Sequence, residues 1–228
     1  MSTPPLSVLF EDEWIIAVNK EAGQLVHSNK DPQPDDIVTM KLVREYLGLK
    51  VYPTHRLDRP TCGVLLLAKG KTAARAINRA FERKQIQKSY HTIIHGAPKQ
   101  DSWTCSQELQ KKPTDPLKSA CTEFKVLQQL SPDFALLKAS PQTGRYHQIR
   151  KHLLHCGHPI VGDYLYTGIE ACEKTRLQLE IGTRMMLQCK SLTLAHPITK
   201  DSLTIEAPIE ECFEKIVKQT TPSPHTPQ

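Results

Sequence analysis

A chain of 228 residues, 39% of them hydrophobic, is long enough to bury a full core, and its net charge of +6 is modest. No run approaches the ~20 apolar residues of a membrane span, and the opening Met1-Ser2-Thr3-Pro4-Pro5 lacks the charged and apolar regions of a secretory leader. Seven cysteines without a C-x-x-C pair argue against a disulfide framework and fit reduced thiols in a cytoplasmic protein.

In chain order, residues 8–20 read as a hairpin: apolar Val8-Leu9-Phe10, an acidic turn, then Trp14-Ile15-Ile16-Ala17-Val18. Ala22-Gly23 turns the chain, and residues 28–36, with two prolines, form a polar loop. Asp36 is a candidate cap for a helix to Leu47, with Met40, Val43 and Leu47 inward and Gly48 at its end. After Tyr52-Pro53 comes His55-Arg56-Leu57-Asp58-Arg59-Pro60-Thr61-Cys62-Gly63, a loop with one carboxylate between two arginines. It enters the uncharged run Val64-Leu65-Leu66-Leu67-Ala68, bounded by Gly63 and Gly70, which reads as a strand buried on both faces. Such a loop is anchored to the core, and its flanking arginines favour an ionised Asp58, suited to nucleophilic or electrostatic work.

Thr72 is a candidate cap for a second helix with Ala73, Ile77, Ala80 and Phe81 on one face. Residues 86–94 read as a strand carrying Lys88 and Tyr90, and residues 97–119 as an irregular stretch with a mobile loop at Lys111-Lys112-Pro113-Thr114-Asp115-Pro116. Residues 121–127 and 134–139 read as paired strands around Ser131-Pro132-Asp133. Gln142-Thr143-Gly144 is a turn before a helix to Cys156, with Ile149, Leu153 and Cys156 facing the core. Residues 186–194 and 203–207 form a hairpin around His196-Pro197, and Pro208 opens a last helix with Ile209, Cys212, Phe213, Ile216 and Val217 at helical spacing. The expected organisation is a tail at 1–7, one domain at 8–218 and a disordered tail at 219–228, with the strands and helices of a mixed α/β (α+β) protein. His147, His152, His155 and His158 have no carboxylate or cysteine at ligand spacing, so no metal site is expected.

Three motifs stand in order along the chain: His55-Arg56-Leu57-Asp58 with Thr61 and Gly63, then Lys88-Ser89-Tyr90, then Thr143 to His152. Together they resemble the RluA-type pseudouridine synthases. The resemblance implies the pseudouridine synthase fold, a mixed, largely antiparallel bent sheet with flanking helices and loops. It also implies an isomerase that breaks the N1–C1′ bond of uridine, rotates the base and joins C5 to C1′, with no cofactor, no nucleotide and no metal. By the same resemblance Asp58 is the nucleophile, Tyr90 stacks on the uracil and handles its C5 proton, and Arg145 pairs with Asp58. Arg56, Lys88, His147, Gln148, Ile149 and Arg150 become substrate-binding residues, Ile149 by packing under the uracil.

The opening Leu9 to Lys20, Arg59-Pro60-Thr61 and Gln85-Ile86-Gln87-Lys88 look closest to tRNA-modifying members of that family. The expected partner is therefore RNA: tRNA, modified at the base of the T stem by a monomeric enzyme, with ribosomal RNA as the alternative. A catalytically silent RNA-binding or tRNA-folding protein is the alternative from another class. Many ribosomal members carry an added N-terminal RNA-binding domain, whereas here the resemblance begins near Val8. Basic clusters at residues 75–88, 111–118 and 145–151 suit a polyanion. Cys62, Glu21 and Tyr146 depart from the family pattern without touching the three catalytic positions.

Overall fold

The strand β4 (Cys62–Ala68) is buried at every position, as the absence of charge between Gly63 and Lys69 requires. In the computed structural model, residues 6–28, 31 and 33–220 are described. The expected tails fall largely on residues 1–5 and 221–228, outside the described residues, as do positions 29, 30 and 32 of the expected polar loop. The chain forms two compact units, residues 1–90 with 188–208 and residues 91–187 with 209–228.

In the first unit β2 (Ile15–Lys20) runs antiparallel to β4, from Ile15 opposite Ala68 to Lys20 opposite Gly63. β1 (Val8–Glu11) adds to β2, and β3 (Tyr52–Pro53) meets β4 at Ala68 and Leu67. β9 (Leu187–Ala195) joins β4 in parallel at Cys62 and Gly63 and pairs antiparallel with β10 (Ser202–Glu206) from Ser191 to Ala195. α1 (Thr39–Leu47) buries Met40 and Val43, and α2 (Lys71–Glu82) buries Ala73, Ala74 and Ile77. Both helices start without a side-chain cap, at Val38 and Gly70. Asp36 is drawn away from the capping role by Arg59, whose guanidinium meets its buried carboxylate at 3.0 Å. Thr72 falls inside the first turn of α2 rather than before it.

The strand β5 (Gln87–His95) leads the chain into the second unit. There β6 (Ser102–Cys105), β7 (Thr122–Ser131) and β8 (Phe134–Pro141) form an antiparallel run. The helices are α3 (Gln148–His155), α4 (Tyr164–Thr167), α5 (Ile169–Leu179) and α6 (Glu211–Thr220). β6 lies within the stretch read as irregular; Trp103 stacks on Phe124 across the strand pair, ring centroids 5.2 Å apart. The irregular stretch is anchored on both sides of residues 111–116, the part expected to be mobile. Leu109 and Lys118 form a bridge, Gln107 and Gln110 accept from His152 and Lys151 at 3.0 and 2.6 Å, and Ser119 accepts from Arg145 at 3.0 Å. The architecture is thus mixed α/β with mostly antiparallel strands, as expected. Among the described residues no helix is long and apolar enough to cross a membrane.

Candidate active site

The loop that carries Asp58 hangs from one residue of β4. Leu66 donates its backbone N–H to His55 Nε2 at 2.9 Å, and its carbonyl accepts from Thr54 Oγ1 at 2.6 Å. Both backbone groups of a fully buried residue are thereby satisfied by side chains of the loop. An Nε2 that accepts belongs to a neutral ring, and desolvation, aided by the nearby Lys88 ammonium, lowers the His55 pKa to about 4. The ring also packs on Phe81, centroids 5.4 Å apart.

Beyond His55, Arg56 is exposed, Leu57 is buried, and Asp58 is half-buried with its carbonyl accepting from Thr61 N–H at 3.0 Å. The arginine after Asp58 is engaged elsewhere: Arg59 donates to Gly23 O at 3.0 Å and pairs with Asp36. The loop is held from below by Lys20, wholly buried, whose ammonium donates to the carbonyls of Glu21 (2.8 Å) and Arg59 (3.2 Å). A buried ammonium needs such acceptors, and here they lie in the backbone adjoining Asp58.

Gly63 closes the loop with φ +102°, opposite Cys189 of β9. A Cβ at this position would run into the Cys189 backbone carbonyl. Glycine is therefore required twice over, by conformation and by the close approach of β9.

Tyr90 lies within reach of the Asp58 charge, and Lys88 and Cys189 stand around Tyr90. Tyr90 is buried, and its pKa is raised well above 10, by burial first, then by the Cys189 thiol to which it hydrogen-bonds, and also by the charge of Asp58. Lys88, two residues earlier and so on the same strand face, has its pKa lowered to about 8 by desolvation. Burial pushes the Cys189 thiol up to about 12. At neutral pH the group is a phenol, a thiol and an ammonium.

The third motif lies in the second unit. The Gln148 side chain accepts from Thr143 Oγ1 (2.6 Å) and Arg145 N–H (2.9 Å) and donates to Cys121 O and Thr122 Oγ1 (2.9 Å each). This knot shapes the turn that presents Arg145, which is exposed and donates from Nε to Ser119 O. α3 begins later than expected, because His147 sits at φ 54° as its N-cap. Arg150 is buried and doubly bonded to Asp163, Nε to Oδ2 at 2.8 Å and Nη2 to Oδ1 at 2.7 Å. Ile149 is buried beside them. Of the histidines, His152 bonds Thr122 and Gln107, His158 bonds His95 O, and His147 bonds Tyr166 OH. Among the described residues no group of three histidine, cysteine or carboxylate side chains is placed to hold a metal ion.

A family model described as RNA pseudouridylate synthase matches residues 14–155, a span that contains all three motifs. The chain belongs to the RNA pseudouridylate synthase family. It is 36% identical over 233 residues to a tRNA pseudouridine synthase C of Pectobacterium carotovorum, spanning 94% of this chain and 62% of that one. Proteins of the same name from Yersinia pestis and Haemophilus influenzae are 33% and 34% identical and are covered over 90% and 97% of their lengths. Among solved structures, human RNA pseudouridylate synthase domain containing 1 and domain containing 4 share the fold. Their TM-scores are 0.76 and 0.74 at 23% and 22% identity, covering 99% and 94% of this chain and 99% and 92% of those.

Seen as a pseudouridylate synthase, the chain holds residues around its motifs that the sequence reading left without a role. Lys20 and His55 stood inside quoted motifs, yet their tasks depend on the carbonyls and N–H groups they meet after folding. Cys189 had no local signal at all. It reaches Tyr90 because β9 lies beside β5 in the sheet.

Proposed function

We propose that this chain isomerises one uridine of tRNA to pseudouridine, with Asp58 as the carboxylate that acts at C1′ of the target nucleotide. The observation that carries the reading is the proximity of Asp58 and Tyr90 within the first unit, where the carboxylate's charge is felt at the phenol. Pseudouridine formation breaks N1–C1′, makes C5–C1′ and moves one proton from C5 to N1, so electrons and atoms balance within the nucleotide. A carboxylate at the anomeric carbon splits a hard step into two easier ones. Tyr90 enters protonated, because burial opposes the phenolate, and its ring limits the motion of the freed uracil. Its hydroxyl then serves the C5-to-N1 proton transfer.

Lys88 and Arg56 supply positive charge for the RNA, and the role of Arg145 rests on its Thr143-Gly144-Arg145 motif. Gln148 and Arg150, each with its polar atoms engaged by the fold, hold the start of α3 in place for Arg145, His147 and Ile149. The names of the relatives support tRNA as the substrate, and the resemblance of the first two motifs supports a uridine at the base of the T stem. A paired uridine there must leave its stack at roughly a few kcal/mol, which phosphate contacts offset.

Carbodiimide mapping of an unmodified tRNA transcript treated with the purified chain tests the reading. One new pseudouridine at the base of the T stem is expected without added cofactor. No product in any tRNA, together with a new site in ribosomal RNA, would transfer the assignment to ribosomal RNA.

A further inference from the structure

Tyr146 is placed by the second unit in a way that core packing does not explain. Its side chain is 40% exposed, yet it lies nearly parallel on the His147 ring, centroids 3.7 Å apart and planes 20° from each other. His147 is fixed in turn. Its Nδ1 meets Tyr166 OH at 2.9 Å, and the Tyr166 ring stands edge-on to it. The Arg150 guanidinium lies over Tyr166, 4.9 Å from the ring centroid, and is itself held by Asp163. An exposed ring thus rests on a stack that ends in a buried, bidentate ion pair. The backbone at His147 adopts φ 54°, a conformation that non-glycine residues rarely take, to bring these two rings together.

Two ammoniums attend the same ring. Lys151 Nζ stands 5.5 Å and Lys111 Nζ 5.6 Å from the Tyr146 centroid. Lys151 is anchored by its bond to Gln110 O, and Lys111 follows in the tied segment. A flat aromatic face with one side backed and cations at hand is the combination that single-stranded nucleic acid requires: a π surface for a base and charge for its phosphates. An apolar peptide would desolvate both ammoniums without neutralising them, and an intact duplex presents no free base face.

We propose that Tyr146 is a stacking platform for one unstacked base of the RNA, with Lys111 and Lys151 neutralising phosphates next to that base. The inference rests on the reading of the chain as an RNA-modifying enzyme, and adds a contact that distinguishes unstacked from duplex RNA.

The test is the dissociation constant of the full chain for an unmodified tRNA transcript, measured by fluorescence anisotropy over a series of KCl concentrations. Tyr146→Ala is expected to weaken binding by about 5-fold to 150-fold without changing the salt slope, whereas Tyr146→Phe, which keeps the face, stays within about threefold. Lys111→Ala is expected to lower the slope of log K against log salt by about one. Binding by Tyr146→Ala equal to the parent's, or a Phe variant as weak as the Ala variant, would overturn the platform; an unchanged slope in Lys111→Ala would overturn the phosphate contact. Pseudouridine mapping on the same samples separates the two readings. Parent protein that binds through Tyr146 but modifies no RNA would sink the synthase reading alone. Normal modification with a Tyr146-independent affinity would sink the platform alone.

Discussion

His55 accepts the backbone N–H of Leu66 at 2.9 Å, so the first residue of the Asp58 loop is bonded to the middle of the most buried strand. The arrangement has a pH signature. With its folded pKa lowered to about 4, His55 takes up no proton until well below the range in which the unfolded chain does. Its contribution to stability is complete above the unfolded pKa of ~6.5 and is lost as pH falls toward 4. His55→Phe keeps a ring against Phe81 but strands the Leu66 N–H, a loss of about 1–3 kcal/mol at pH 7.5. Urea unfolding of both proteins at pH 7.5 and pH 5 checks this: the gap should narrow at pH 5, and a gap that widened would contradict the neutral, accepting ring.

Gly63→Ala should be among the most damaging single changes in the chain. The added methyl meets the Cys189 carbonyl at a φ of +102°, so β4 and β9 would have to part to admit it. Loss of at least about 3 kcal/mol is expected, read from the urea midpoint; a variant within 1 kcal/mol (about a fivefold change in the folding constant) would mean that the two strands are free to part.

How much of this was legible in the sequence depends on the range of the interaction. The uncharged run after Gly63 announced β4, and alternation placed Lys88 and Tyr90 on one face of β5, because both signals are local. α5 gave no comparable signal: Ile169 and Leu177 are exposed while Cys172, Thr175 and Leu179 face inward, so its periodicity is muted. Cys189 was invisible as a neighbour of Tyr90, since the contact arises only where β9 and β5 lie side by side in the sheet. Arg150 looked like a free cation for phosphate, and Asp163, beyond the end of α3, is what takes its guanidinium. The stretch 97–119 read as irregular because the partners of its flanks, Arg145, Lys151 and His152, lie far along the chain.

The proposed contact of Lys88 with the RNA should make binding depend on pH. Desolvation lowers its pKa to about 8, so its charge, full at pH 7, is mostly gone by pH 9. RNA affinity of the parent should fall as pH rises through that window. Lys88→Met should bind more weakly at pH 7 and show a flatter profile, with a salt slope lower by about one. Anisotropy titrations at pH 7, 8 and 9 are decisive; a Lys88→Met profile that parallels the parent's would remove Lys88 from the RNA contact.

Tyr90→Phe separates the ring from the hydroxyl. The proposed stacking should survive, the hydrogen bond to Cys189 is lost, and turnover of saturating tRNA should drop by about 10²–10⁴-fold with binding little changed. Single-turnover kinetics measure it, and a variant at full rate would leave the ring as the working part.

Asp58→Asn puts the central claim to the most direct test, because it removes the charge and nucleophilicity of Asp58 while changing its volume very little. The measurement is the amount of pseudouridine formed in an unmodified tRNA transcript under single-turnover conditions, alongside tRNA affinity for the same variant. The account expects a fall in rate of roughly 10⁴-fold or more, with affinity within a few-fold of the parent's. Turnover by the Asn variant at a tenth of the parent rate or better would contradict it.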